Sequence, residues 1–287
     1  IHSWLMPDED PADLMVIAVQ ELVDLSPTTM VMNANGDEQR QAALEARIEQ
    51  ALGGGQSYLK VCSFGMVGLA LLIYAKPWLG RFIRQLRFDR VKTGLDGMGG
   101  NKGAVCARFL LGSISVCLID VHLASGQTAV AERSQHLTQV MADAFQGTSM
   151  KGASRPAKNG FERSSVYHAT AHQVCIITGD FNARLDLAKD AWPSGAQQEW
   201  LARDQIMLGQ VASLRGFREG VITFPPTYKY KIGTNALNTK RCPAWCDRVV
   251  YKADGVEADL LEYSSFPGLR YTSDHHPVAA LFEVRGH

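Results

Sequence analysis

Short apolar runs broken by polar, glycine-containing stretches dominate the chain. LMVIAV (14–19) leads into Gln20 and Glu21, so a strand is predicted to deliver a carboxylate at its end. Residues 36–52 place Leu44, Ile48 and Leu52 at helical spacing among polar neighbours, and Gly53, Gly54 and Gly55 stop that helix. Strand-like segments are predicted over 58–63, 67–75 and 82–93. GLDGMGGNKGAVCARF (94–109) reads as a glycine-rich hairpin region entering another strand. SISVCLIDVHLASG (113–126) is a buried strand that emits Asp120 and His122 and breaks at Gly126. Helices are predicted over 129–145 and 196–210, and a polar surface loop or insertion over 147–173. Strands outnumber scattered helices, which fits two packed, mostly antiparallel sheets flanked by helices better than a doubly wound parallel sheet.

The stretch VCIITGDFNARLD (174–186) passes from a buried strand into an acid, an amide and an arginine at alternate positions. In an extended chain side chains two apart share a face, so Asp180, Asn182 and Arg184 are expected to point the same way. A carboxylate and an amide beside a buried strand are costly to desolvate unless a metal or an anion sits between them. The same residue types also end strands in simple turns. Arg184 is assigned a packing role. The pattern recurs, because Glu21, His122, Asp180 with Asn182, and Asp274 with His275 are each read as the end of an apolar run. Four such ends point to one rim. Carboxylates without cysteines imply hard oxygen ligation and therefore magnesium.

Length and composition narrow the class. At 287 residues the chain is expected to form one domain (1–287) with a core that needs no covalent staples. Four of the six cysteines, Cys62, Cys106, Cys117 and Cys175, lie in apolar runs; Cys242 and Cys246 lack the partners of a zinc site. A reduced, cytosolic setting is expected. Lys plus Arg and Asp plus Glu both number 29, which argues against a nucleic-acid partner. Basic residues nevertheless cluster over 228–252, which suits a small, highly phosphorylated substrate or a solvated basic face. The longest apolar run, MVGLALLIYAKPWL (66–79), is broken by Lys76 and Pro77 and too short to span a bilayer, so it is read as a core strand with a membrane-touching edge near Pro77, Trp78 and Leu79. No signal peptide is visible, and the missing initiator methionine implies a piece of a longer protein.

The segments GMGGNKGAV, HLASG, GDFNAR, FPPTYKY, RCPAWCDRVVY and SDHHPV, in this order, resemble the motif series of the inositol polyphosphate 5-phosphatases of the endonuclease/exonuclease/phosphatase superfamily. The resemblance covers about Asp13 to Val284. It implies an α/β (α+β-type) four-layer sandwich and a magnesium-dependent enzyme. By that resemblance Glu21 and Asp274 attend the metal, Asp180 deprotonates the attacking water and Asn182 positions it. His275, oriented by Asp247, and His122 contact the scissile phosphate. Asn101, Lys102, Tyr228, Lys229 and Arg241 are implied as substrate contacts, most of them to the inositol 4-phosphate. Asp120 has no family counterpart that carries over. The family begins with a strand whose asparagine supports the magnesium site; nothing before Trp4 supplies it, so that strand is expected to be absent.

The implied reaction removes the 5-phosphate of a phosphoinositide headgroup or soluble inositol phosphate, such as phosphatidylinositol 4,5-bisphosphate, by in-line attack of water. Magnesium would neutralise charge on the phosphoryl oxygens while a carboxylate takes the water's proton. The expected setting is a monomeric cytoplasmic domain of a larger protein, held peripherally at the cytosolic face of membranes. A nuclease or phosphodiesterase of the same fold and a noncatalytic phosphoinositide-binding module are the alternatives.

Overall fold

The computed structural model describes residues 2–5, 11–22, 38–55, 57–66, 68–94, 99–146, 168–188, 191–269, 271 and 273–286. The described strands form three sheets. β1 (Leu14–Val19), β2 (Leu59–Met66) and β3 (Leu69–Ala75) make an antiparallel sheet in the order β1-β3-β2. β4 (Ile83–Gly94), β5 (Gly99–Leu111), β6 (Ile114–His122), β7 (Val174–Asp180), β8 (Arg218–Glu219) and β9 (Asp247–Ala253) make a second sheet, ordered β4-β5-β6-β7-β9-β8. Only β6 and β7 pair in parallel there, joined across the helix Val130–Asp143. β10 (Glu257–Ser265) and β11 (Val278–Arg285) form an antiparallel hairpin.

Residue parity explains how these sheets stack. On β3, Leu69, Leu71 and Ile73 face one core with Val105, Ala107 and Phe109 of β5 and Leu118 of β6. The alternate residues Ala70, Leu72 and Tyr74 face another core with Ile48 and Leu52. β3 is therefore buried on both faces, which is why LALLIYA reads as an unbroken apolar run. Cys117, Ile119 and Val121 of β6 turn away from the first sheet and pack against Leu137, Val140 and Met141 of the helix Val130–Asp143. The layers run helix Glu38–Ala51, three-stranded sheet, six-stranded sheet, helix Val130–Asp143, which is the four-layer sandwich expected. The helix Glu38–Ala51 ends as its sequence requires: Gly53 adopts φ 87°, open to glycine, and the Gly54 N–H returns to the Glu49 carbonyl at 2.8 Å.

Three local expectations change. The helix predicted over 196–210 stops early, as a turn of helix at Gln197–Trp200 and a 3₁₀ turn at Leu201–Arg203. Tertiary pairing overrides propensity there, because Asp204 is drawn into full burial by Arg248, whose Nη1 donates to Asp204 Oδ1 at 3.0 Å. The predicted surface segment 147–173 lies outside the described residues up to 167. From 168 onward the chain makes a 3₁₀ turn at Ala169–Ala171, and His172 is buried, accepting from Arg108 Nε at 3.0 Å. Asp274 and His275 precede their strand, β11, rather than following one. Near the expected membrane-touching edge, Trp78 and Phe82 are exposed. They sit where β4 starts against Leu111, at the end of the sheet opposite the Lys92–Gly103 pair.

Arg248 anchors β9 to both β8 and the 204 turn. Its Nε and Nη2 donate to the Glu219 carboxylate at 2.6 and 2.5 Å, and the Tyr263 hydroxyl donates to Glu219 Oε1 at 2.9 Å. Removing one partner of a buried ion network strands the others' charge. Arg248→Met is expected to lower unfolding free energy by about 3–5 kcal/mol in urea titrations. A loss below about 1 kcal/mol, the range of an exposed pair, would contradict this account.

Candidate active site

Register places the polar groups in one row. On the parallel pair β6–β7, His122 lies opposite Asp180; on the antiparallel pair β7–β9, Asp180 lies opposite Asp247; on β5–β6, Gly103, next to Lys102, lies opposite His122. Val116 and Leu118 of β6 face the other sheet, and the same parity continues to Asp120 and His122. The row thus emerges at the end of the core between the two sheets. Gly179 makes the close approach possible. At φ 123° a Cβ there would lie 2.3 Å from the Val121 carbonyl oxygen and 2.8 Å from Asp120 Oδ1, so no larger residue lets β7 approach β6 this closely.

Asp180, Asn182 and Arg184 do converge, but not through an extended chain. Asn182 takes a left-handed conformation (φ 51°), an uncommon choice for a non-glycine residue that asparagine tolerates best. Its backbone N–H then donates to Asp180 Oδ1 at 2.8 Å and its Nδ2 to Asp180 Oδ2 at 2.9 Å and to the Leu123 carbonyl at 3.1 Å. Arg184 Nη2 donates to Asn182 Oδ1 at 2.6 Å, and the guanidinium lies 4.4 Å from the centre of the Tyr228 ring. Arg184 is buried, as a packing residue would be, yet its contacts are polar and aromatic.

Three segments distant in sequence lie side by side above β9. Isolated bridges join Tyr228 to Ala244 and Tyr228 to His275, and the Tyr230 and His276 N–H groups donate to the carbonyls of Asp274 and Thr227. His275 Nδ1 meets Asp247 Oδ2 at 2.9 Å. Thr227, fully buried and not singled out by its sequence, donates to the same oxygen at 2.6 Å, so two groups hold the Asp247 carboxylate in place. The His275 ring packs 4.7 Å from that of Tyr228. Lys229 Nζ reaches Asp274 Oδ2, so Asp274, expected beside a metal, is engaged by a lysine. Arg241 is exposed on the same loop. Asn101 lies on β5, but its side chain falls outside the described residues.

Glu21 approaches from the other sheet. It follows β1 with φ 55°, and its Oε1 stands 3.7 Å from His122 Nε2, which is itself 3.4 Å from Asp180 Oδ2. Backbone strain of this kind, at Glu21 and again at Asn182, gathers where surrounding structure over-determines a site. Gln20 Nε2 donates to Asp120 Oδ1 at 2.6 Å, tying the two sheets together beneath the rim. Neither Gln20 nor Asp120 carries a sequence signal for that contact.

Burial and charge oppose one another throughout. Burial alone would raise the Asp180 carboxyl, but the His122 hydrogen bond and the positive charges at His275, His122 and Lys102 outweigh it and hold Asp180 well below the ordinary carboxylate range. Burial pushes the Asp120 carboxyl well up, against the Gln20 hydrogen bond. It also lowers the Lys102 ammonium, which contacts His122 Nε2. Burial would lower His275 too, yet the Asp247 charge and hydrogen bond prevail and raise it to about 9.

Asp180, Asp247 and His275 offer ligand atoms that all lie within 4.8 Å of one another. The Asp180 and Asp247 carboxylates, with the Glu21 carboxylate adjoining the row, form an oxygen donor set suited to a hard divalent cation such as magnesium or calcium, beside an imidazole that Asp247 engages through Nδ1. The residues present therefore fit a metal of that class.

The chain matches the family described as Endonuclease/Exonuclease/phosphatase family 2 over residues 1–281. It is 32% identical to human synaptojanin-2 over 96% of this chain and 20% of that protein. It is 33% identical to inositol-1,4,5-trisphosphate 5-phosphatase 1 of Schizosaccharomyces pombe over 99% of this chain and 25% of that protein. The chain thus spans about a fifth to a quarter of the length of these relatives. Among solved structures, the inositol polyphosphate 5-phosphatase domain of SPsynaptojanin, in complex with inositol (1,4)-bisphosphate and calcium ion, superposes with a TM-score of 0.75 at 29% identity, covering 99% of this chain and 80% of that one.

Without added divalent ion, the His275 ring is expected to titrate near pH 9 in histidine NMR spectra, and Asp247→Asn to bring it to or below its ordinary value of about 6.5. The folded state holds this proton more tightly than the unfolded one. Its contribution to stability is therefore complete below about pH 6.5 and is lost as pH rises through about 9. A wild-type midpoint at or below the ordinary value would contradict the Asp247 pairing.

Proposed function

The chain belongs to the endonuclease/exonuclease/phosphatase family 2, and from that premise we propose that it is an inositol polyphosphate 5-phosphatase domain acting, with magnesium, on phosphoinositides or soluble inositol polyphosphates. The observation that carries this reading is the row of Asp180, Asp247 and His275, with ligand atoms within 4.8 Å of one another, and with Lys102 against His122 and Tyr228 and Lys229 beside His275. The related domain holds inositol (1,4)-bisphosphate, which is inositol 1,4,5-trisphosphate without its 5-phosphate.

In this reading Asp180, kept ionised by His122, His275 and Lys102, accepts the proton of the attacking water. Asn182 fixes the carboxylate through two hydrogen bonds and so sets where the water is met. His275, protonated through its contact with Asp247, offers Nε2 to a phosphoryl oxygen, and His122 with Lys102 stabilises charge on the same group. Glu21, joined by carboxylates of the row, would hold magnesium, which when bound neutralises phosphoryl charge as a Lewis acid. Lys229, Tyr228 and Arg241 sit on one loop and would read the 4-phosphate, displacing Asp274 from Lys229 as the substrate arrives. Asn101 belongs with the scissile group in this reading, and Lys102, which the family resemblance assigns to the 4-phosphate, is placed with that group as well because it contacts His122. Among the described residues no helix is long and apolar enough to cross a membrane. A lipid substrate such as phosphatidylinositol 4,5-bisphosphate would be met peripherally, at the cytosolic face of a membrane.

Asp180→Asn is expected to lower 5-phosphate release from inositol 1,4,5-trisphosphate by about 10²-fold or more. Near-native turnover would sink the assignment of the proton acceptor. Lys229→Ala and Arg241→Ala are expected to cut kcat/KM on 4-phosphorylated inositides about tenfold, the loss of one charged hydrogen bond, while leaving p-nitrophenyl phosphate hydrolysis nearly unchanged. Equal losses on both substrates would remove these residues from substrate recognition.

A further inference from the structure

Arg184 is buried beside the site, and among the described residues no carboxylate lies within ion-pair distance of it. Among the described residues its Nε meets no hydrogen-bond partner. Burial opposes its charge, but Cys246, Tyr228 and the Asp180 carboxylate nearby outweigh it and raise its pKa, so the guanidinium is held charged by the site itself. The contacts it does make join two halves of the site. Nη2 donates to Asn182 Oδ1 at 2.6 Å, and Asn182 in turn donates to Asp180. The guanidinium carbon Cζ lies 4.4 Å from the Tyr228 ring centre, and that ring packs 4.7 Å from His275. The backbone of Arg184 is held as well. Its N–H donates to Gln205 Oε1 at 3.1 Å, the Gln205 N–H donates back to its carbonyl at 3.0 Å, and Arg133 Nη2 fixes that same Gln205 Oε1 at 2.5 Å.

We propose that Arg184 is a positioning residue: it clamps Asn182 and Tyr228 together, so that the half of the site carrying Asp180 and the half carrying His275 keep one fixed spacing. Asp180 and Asn182 belong to the end of β7, whereas Tyr228 and His275 belong to segments laid over β9, and a planar fork is the side chain that can hydrogen-bond one half while stacking on the other. A lysine keeps the charge but can do only one of these. The clamp rests on the phosphatase reading for its consequence in turnover and on geometry alone for its effect on structure.

Arg184→Met is expected to lower kcat on inositol 1,4,5-trisphosphate about 10- to 100-fold while moving KM less than about threefold, because misplacement of reacting groups is felt in the chemical step. Arg184→Lys should recover little of it. In an Asn182→Ala background, where the clamp has already lost one jaw, Arg184→Met should cost less than about threefold more. Equal losses in the two backgrounds, or an unchanged kcat, would overturn the proposal. A crystal structure of the R184M protein gives a readout that needs no activity: the Asn182 amide and the Tyr228 ring are expected to leave their wild-type positions, and their staying put refutes the clamp. Should R184M not fold, R184K carries the same structural test. Absence of 5-phosphate release by the wild-type protein would instead sink the phosphatase reading, and the variant structure would still decide the clamp.

Discussion

The site exists because two strand registers agree. His122 opposite Asp180 on a parallel pair, and Asp180 opposite Asp247 on an antiparallel one, bring an imidazole and two carboxylates to the same level of one sheet. The side-chain period of a strand is two, so a slip of one residue in either pairing would turn a member of the row toward the opposite face. The cores on both sides prevent that slip. Cys117, Ile119, Cys175 and Ile177 must face the helix Val130–Asp143, while Leu118 and Val174 must face the three-stranded sheet. Apolar packing along the length of β6 and β7 thereby sets the chemistry at their ends.

Such a row is electrostatically expensive, and the surrounding structure shows how the cost is offset. Asp180 is buried yet accepts from Asn182 twice and faces His122, with Lys102 and His275 nearby. Asp247 shares one oxygen between Thr227 and His275. One residue further on, Arg248 is wholly buried but paired with Asp204 and Glu219. Charges are thus satisfied in local groups, and left-handed backbone at Glu21 and Asn182 is held in place between them.

A four-layer sandwich alone does not decide what a protein does, since one fold hosts many chemistries. The discriminating features are local: carboxylates within reach of one ion, an imidazole paired with one of them, and lysine, tyrosine and arginine on the adjoining loop. The segments bearing them lie apart along the chain between Asp180 and His275, and the β7–β9 pairing together with short bridges at Tyr228, Ala244 and His275 brings them side by side.

Much of this was readable along the chain. Alternating and continuous apolar runs marked the strands, helical spacing marked Leu44, Ile48 and Leu52, and four polar groups following or adjoining apolar runs marked the rim. Those signals are local, and local periodicity reports which face is buried. The sequence could not say that residues 204–210 leave the helix, because a buried arginine 44 residues away claims Asp204. Nor could it reveal Thr227 as a partner of Asp247, Gln20 as the tie to Asp120, or Arg184 as more than packing. Each of those roles depends on which side chain lies across the gap, and that is decided by sheet register and layer stacking. The amino-acid pattern by itself determined the strands and the kinds of groups at their ends; the tertiary structure alone decided which of those groups touch, because a hydrogen bond or ion pair between residues far apart in sequence has no periodic trace in either segment.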